Sequence, residues 1–296
     1  MTKRIAVIND LSGFGRCSLT AAISVLSAMG VSPCPFPTAI LSAQTGYPSY
    51  FCDDYTDRMD AIRQEWEKMQ VRFDGIYTGY MAREEQLVHI LQFLDSFRNK
   101  DNFLLVDPVL GDGGKPYKIF TPGLCSMMKE LIMQADYITP NLTELCLLTD
   151  SDYNDFRGLH EPAAIQKRIC EIAEPLLRHG PGNIIVTGIR FWNDDARTPQ
   201  IGNLYLRDDY CRLFAFPYVG GSFSGTGDLF ASVLSGGLAR GDRMEDLIRL
   251  AGSFIECAMK DSIKENVPRN DGANYERYLH MLLPDTLAKQ TNFSSL

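Results

Sequence analysis

The run Ser224-Gly225-Thr226-Gly227-Asp228 passes without a break into Leu229-Phe230-Ala231-Ser232-Val233-Leu234, an apolar stretch at helical spacing. Glycines on either side of a threonine let the backbone approach a ligand closely and turn successive amides the same way. A helix that begins there adds unpaired N–H groups and the positive end of its dipole, a combination suited to a phosphate. An acid in the first turn of an anion site does nothing for binding alone. It has a use if Asp228 takes the proton from a hydroxyl that attacks the bound phosphate. The same residues would equally serve a plain capped helix start, so the rest of the chain has to decide.

The elements that would position such a site are short apolar runs alternating with helical patterns. Strands are expected at Arg4–Ile8, Gly75–Thr78, Phe103–Val106, Tyr137–Thr139 and Asn183–Thr187. Helices are expected at Leu19–Met29, Asp57–Val71, Glu84–Phe97, Gly123–Ala135 and Ala163–His179, then Asp228–Ala239, Met244–Lys260 and Tyr275–Leu283. Leu204–Arg207 and Arg212–Phe216 around Asp208-Asp209 read as a β-hairpin. This alternation predicts an α/β fold with a mostly parallel sheet and helices on both faces. Ligands of such sheets bind at the carboxyl ends of the strands. The polar residues there form a set: Asn9-Asp10, Gly79-Tyr80, Asp107-Pro108, Pro140-Asn141 and Gly188. Asp107 and Asp112 share one loop, and Glu144 follows Asn141 by three residues. Carboxylates without thiolates or imidazoles around them suit a hard, partly hydrated Mg²⁺.

Composition narrows the class. A net charge of −8 with no Lys/Arg run argues against a nucleic-acid surface. The eight cysteines are scattered without a C-x-x-C pair, which suits buried free thiols in a reducing cytoplasm better than zinc or a disulfide scaffold. The segment Leu19–Leu41 is apolar but interrupted by Pro33, Pro35 and Pro37, which excludes a membrane span, and no signal peptide opens the chain. The sequons at Asn141 and Asn292 have no secretory context. No repeat or Gly/Ser linker divides the 296 residues, so a single domain over 1–296 with a polar tail from about 284 is expected. Trp66, Met69, Phe93, Phe97, Met127 and Met128 fall at helical spacing and read as core.

Competing readings of the same residues can be weighed. Gly13-Phe14-Gly15-Arg16-Cys17-Ser18 only superficially matches a dinucleotide fingerprint, because Ser18 takes the third glycine's place and no acid ends a second strand. A G-x-x-x-x-G-K-[ST] loop is absent from the sequence. Asp107 could simply precede a proline at a strand end. Asn141 with Glu144 fits an N-cap and its box partner, a structural role that is compatible with a functional one.

Taken in order, Thr45-Gly46-Tyr47, Thr78-Gly79-Tyr80, Asp107-Pro108-Val109-Leu110-Gly111-Asp112, Thr139-Pro140-Asn141 with Glu144, and Gly225-Thr226-Gly227-Asp228 resemble the ribokinase superfamily, and within it the pyridoxal kinases. The resemblance spans roughly residues 4 to 260. It implies a ribokinase-like three-layer α/β/α sandwich and transfer of the ATP γ-phosphoryl group to the 5′-hydroxymethyl of vitamin B6. It makes Asp228 the catalytic base and the amides of Gly225, Thr226 and Gly227 an anion hole. Asp107, Asp112 and Glu144 match positions that hold or order Mg²⁺–ATP. Asp107, Thr139, Asn141, Glu144, Thr187, Gly188, Thr226 and Gly227 fall on the ATP side. Thr45 and Tyr80 match the ring pocket, and a homodimer follows from the same resemblance.

Two positions depart from pyridoxal kinases. Asp10, with Ser12 two residues on, stands where a serine meets the ring, and Asp10-Leu11-Ser12-Gly13 looks like the opening of hydroxymethylpyrimidine kinases. Gln44 points the same way. The expected substrate is therefore a B6 vitamer (pyridoxal, pyridoxine or pyridoxamine). The alternatives are the pyrimidine of thiamine synthesis, a sugar, and a silent binder of B6 or nucleotide.

Overall fold

Ile5, Ala6, Val7 and Ile8 are fully buried, as a strand covered by helices on both faces has to be. The structure, a computed structural model, describes residues 1–193 and 197–284; the polar tail and the Asn292 sequon lie outside the described residues. Its strands are β1 (Arg4–Ser12), β2 (Ser32–Leu41), β3 (Cys52–Asp54), β4 (Gly75–Thr78), β5 (Phe103–Val106), β6 (Gly111–Asp112), β7 (Lys115–Pro116), β8 (Tyr137–Ile138), β9 (Asn183–Asn193), β10 (Thr198–Arg207) and β11 (Tyr210–Pro217). Its helices are α1 (Ser18–Ala28), α2 (Thr56–Lys68), α3 (Glu84–Phe97), α4 (Pro122–Ile132), α5 (Leu142–Leu148), α6 (Pro162–His179), α7 (Thr226–Arg240) and α8 (Met244–Lys264). Nine strands form one sheet in the order β11-β10-β9-β8-β5-β4-β1-β2-β3, and β6 with β7 forms a small separate hairpin. The six inner strands run parallel, whereas β3 and β10 pair antiparallel at the flanks.

The chain runs from β1 outward to β2 and then returns to β4 on the other side. That reversal opens a crevice at the carboxyl ends of β1 and β4, where ligands of open α/β sheets bind. One sheet face packs on α1, α7 and α8 through residues such as Val25, Leu234 and Phe254. The other packs on α2 to α6. These layers are the expected three-layer α/β/α sandwich.

Some elements differ from expectation. Pro33, Pro35 and Pro37 lie within β2, which pairs with β1 over Ser32–Pro37. Ser32 donates its amide to Lys3 O at 2.8 Å, so alternation points the even-numbered amides at β1 and the three prolines away from it. Proline spacing of two thus leaves this ladder intact. Glu276–Leu282 is a 3₁₀ segment rather than an α-helix. Met69 is 70% exposed just past α2, while Phe93, Phe97 and Met128 are core. Of the cysteines, Cys17, Cys125 and Cys146 are buried and Cys52 is exposed, so the thiols are not uniformly interior.

Phe93 anchors the α2–α3 side, with ring centroids 4.9 Å from Phe36, 6.1 Å from Trp66 and 4.6 Å from Phe97. Phe93→Ala leaves a cavity that this rigid sheet cannot refill and should cost about 3–5 kcal/mol. Urea unfolding should show the midpoint falling with the slope unchanged.

Candidate active site

Two helices begin at one carboxylate. Asp228 lies in the first turn of α7, whose N-cap is Gly225. The backbone at Ser18, the first residue of α1, also hydrogen-bonds to the Asp228 side chain. Gly225 has φ +83°, and a Cβ there would lie 2.0 Å from the Arg16 carbonyl oxygen and 2.9 Å from Cys17 Cα. The loop before α7 is therefore pressed onto the loop before α1, and no side chain fits between them.

Asn9 completes this arrangement. Its Nδ2 donates to Asp228 Oδ1 at 3.1 Å, and its Oδ1 accepts the amides of Asp10 at 3.0 Å and Tyr80 at 2.8 Å. A Cβ on Gly79 would overlap Asn9 Nδ2 at 2.4 Å, which explains the glycine. Asn9 thus joins β1, the end of β4 and the acid of α7. In the sequence Asn9 stands out only as a polar residue at a strand end, next to Asp10.

Asp107 follows β5 and is buried, with Thr139 donating its hydroxyl to Oδ1 at 2.8 Å. Its other oxygen, Oδ2, lies 3.8 Å from where a Gly227 Cβ would stand. The acid and the α7 loop therefore share one space. Burial, reinforced by the Asp228 charge, pushes Asp107 up to about 7 against the Thr139 hydrogen bond. Burial and the Asp10 charge push Asp228 up to about 6, opposed by the Ser18 backbone and the Asn9 amide.

Glu144 is deeply buried at the start of α5. Its Oε1 accepts the Leu110 amide at 3.1 Å and its Oε2 the Asn141 amide at 2.8 Å. Asn141 Oδ1 accepts the Glu144 amide at 3.0 Å, which closes a full capping box. Asn141 Nδ2 also reaches Gly111 O at 2.8 Å. Burial and then the Asp107 charge raise Glu144 well above the usual carboxylate range. Asp112 sits apart, exposed on the β6–β7 hairpin and accepting the Gly113 amide at 2.8 Å. Among the described residues, no three acidic, imidazole or thiol groups gather into a ready cation cage. Asp107 Oδ2 is the oxygen that faces the anion loop.

Thr187 bridges Asn141 and donates its amide to Pro140 O at 2.9 Å, so Thr139, Asn141 and Thr187 line one rim between β8 and β9. Gly188 is exposed beside them, its amide 3.3 Å from Asn203 Oδ1.

At the crevice, Asp10 is buried, and its Oδ2 accepts the Ser12 hydroxyl at 2.8 Å. Burial raises its pKa against the hydroxyls of Ser18 and Ser12. Ser12 itself is wholly buried and serves Asp10 rather than open space. Tyr80 stands nearby, its hydroxyl pushed up by burial and then by the Asp10 charge. Thr45 is exposed on the loop after β2. Gln44 Nε2 donates to Ser224 Oγ at 3.3 Å and Asn270 O at 3.1 Å, and its Oε1 accepts the Gly46 amide at 2.7 Å. Its amide ties the loop to the residue that precedes Gly225.

A doubly wound sheet with an αL glycine, a short amide-rich turn and a half-buried acid at one helix start defines a ribokinase-like phosphotransferase acting on an alcohol. The profile of the phosphomethylpyrimidine kinase family matches residues 15–272, and the chain belongs to that family. A provisionally assigned phosphomethylpyrimidine kinase of Bacteroides thetaiotaomicron VPI-5482, in a crystal form with pyridoxal, superposes with a TM-score of 0.85 at 36% identity, covering 95% of this chain and 96% of that one. Pyridoxal kinase from Lactobacillus plantarum gives 0.83 at 28% identity over 98% and 99%. A pyridoxal kinase of Rubrobacter xylanophilus is 24% identical over 88% of each chain.

Gly225→Ala would meet both an unfavourable φ and the Arg16 carbonyl, displacing the amides of the α7 loop. With one donor misplaced, kcat should drop about 10²-fold or more, measurable in a coupled ADP assay on folded protein. A second expectation concerns Asp107. Its proton is held more tightly in the folded chain than in the unfolded one. The folded state is therefore favoured at low pH, and the advantage is lost as pH rises from about 4 through about 7. Metal-free Asp107→Asn should melt a few degrees above wild type at pH 8, and the gap should narrow by pH 5 and close towards pH 4.

Proposed function

We propose that the chain is an ATP-dependent kinase that phosphorylates the 5′-hydroxymethyl group of a B6 vitamer: pyridoxal, pyridoxine or pyridoxamine. The observation that carries this reading is Asp228, half-buried at the start of α7 directly beside the Gly225–Gly227 amides and held by Asn9. The substrate hydroxyl gives its proton to the Asp228 carboxylate as its oxygen attacks the γ-phosphorus. The amides of Gly225, Thr226 and Gly227 take up the charge that builds on the transferred group. The Asn9 amide and the Ser18 backbone hold the Asp228 carboxylate in place while it receives the proton.

Mg²⁺ fits the donor set. Asp107 Oδ2 would hold it, directly or through water, with phosphate oxygens completing the shell, as this ion prefers. Once bound, it would supply charge neutralisation between the acids and the nucleotide. Glu144, with both oxygens already accepting amides, would act by shaping the Leu110–Asp112 turn, and Asp112 through water from the hairpin. Thr139, Asn141, Thr187 and Gly188 would line the phosphates. Asp10, Tyr80 and Thr45 would face the ring, with Ser12 and Gln44 holding their neighbours. The same reading makes the chain one kinase domain, working as a cytoplasmic homodimer, which light scattering and localisation of the tagged protein would check.

Hydroxymethylpyrimidine is the second reading, favoured by Asp10; the Gln44 amide, engaged with Ser224, Asn270 and Gly46, gives it no support. An ADP-release assay with the three vitamers, the pyrimidine and ribose should show turnover on at least one vitamer. No turnover on any vitamer would sink the proposal, and turnover on the pyrimidine alone would establish the second reading. The base has to be ionised, so kcat/KM should fall as pH drops below about 6. Asp228→Asn should lower kcat by about 10²–10⁴-fold, with substrate affinity little changed. Near-normal kcat with a lowered melting temperature would reduce Asp228 to a helix-start residue.

A further inference from the structure

We infer that Cys170 and Cys211 form a reversible disulfide that ties helix α6 to the edge strand β11. Cys170 lies on α6 and Cys211 near the start of β11, and their sulfurs approach to 2.8 Å. A disulfide bond needs about 2.05 Å, so the remaining closure is roughly 0.8 Å, within reach of small side-chain rotations. The pair has no part in the phosphoryl-transfer site.

The surroundings distinguish the two thiols. Gln166 precedes Cys170 by one helical turn and lies on the same face of α6. Its Nε2 donates to Cys211 Sγ at 3.3 Å. Gln166 thus gives Cys211 Sγ a donor of fixed direction to stabilise a thiolate, and the shared Cys170 contact can supply a second. Those donors hold Cys211 below the usual thiol range, while the shared contact and burial raise Cys170. Elsewhere burial pushes Cys17 up to about 12 and Cys146 up to about 11, so these thiols remain protonated and inert. Cys211 is thus the attacking sulfur and Cys170 the resolving one.

The step balances with a small-molecule disulfide as the oxidant. The Cys211 thiolate attacks one sulfur of that disulfide, forms a mixed disulfide and expels one thiolate. Cys170 then loses its proton, attacks Cys211 Sγ and expels the second thiolate. Both cysteines are oxidised by one electron each, and the reagent is reduced to two thiols.

The full-length protein, reduced and then treated with excess oxidised glutathione, is quenched with N-ethylmaleimide and mapped by mass spectrometry without reduction. A linked peptide containing Cys170 and Cys211 that dithiothreitol removes is the expected result. A rise in melting temperature of roughly 5–10 °C should accompany it, because the bond closes a long loop. Cys170→Ala should stop the reaction with glutathione on Cys211. Gln166→Leu should slow alkylation of Cys211 severalfold at pH 7. Both cysteines fully alkylated after the oxidant, or glutathione carried by Cys170 in a Cys211→Ala variant at the wild-type rate, would overturn the assignment.

Discussion

Carboxylates repel one another most strongly where water is excluded, and this chain buries several within reach of each other's charge. Burial first, and then the charge of a neighbouring carboxylate, raises the pKa of Asp107, Asp228 and Glu144. Burying charge in this way costs stability, and the fold offsets part of the cost locally. Thr139 donates to Asp107, Asn9 to Asp228, and two backbone amides to Glu144. None of these partners neutralises the charge. What remains is a cluster of carboxylates with raised pKa beside the Gly225–Gly227 turn at the start of α7.

That constraint explains why loops far apart in the chain are locked to one another. An acid whose pKa depends on its surroundings has to be held in them. Gly225 is pressed onto Arg16, Asn9 spans β1 to α7, and Gln44 joins the loop after β2 to Ser224 and Asn270. Ser224 in turn donates its amide to Arg269 O at 3.1 Å. The Gly225–Gly227 turn is therefore fixed from several directions, the kind of rigidity that the proposed electrostatic role would use.

Much of this was legible in the residues. The buried strands announced themselves as short apolar runs, and β4 and β5 begin and end where expected, because local composition decides a strand covered on both faces. The Asn141–Glu144 box was readable because capping is a local interaction. The polar residues after the strands were readable as a set, and the structure brings Asn9, Asp107, Thr139 and Asp228 to one end of the sheet. What escaped depends on pairing between distant segments. The Asn9–Asp228 bond spans 219 positions. The prolines of β2 look like breakers until the register shows which side their missing donors face. The use made of both Glu144 oxygens, the commitment of the Gln44 amide and the approach of Cys170 to Cys211 likewise follow only from the packed chain.

The proline-bearing flank of β2 has a bearing on how the protein behaves in crowded solution. Among the described residues, β3 pairs with this strand at Ala39, Ile40 and Leu41, and no strand pairs with the outer side of the stretch before it. Margins of that kind invite a neighbouring polypeptide to add itself by backbone pairing, the first event in many precipitates. Here Pro33, Pro35 and Pro37 present no N–H on that side, so an incoming strand would find carbonyls without alternating donors and could not propagate a ladder. The residues that looked like interruptions leave the strand competent toward its own sheet and inert toward strangers.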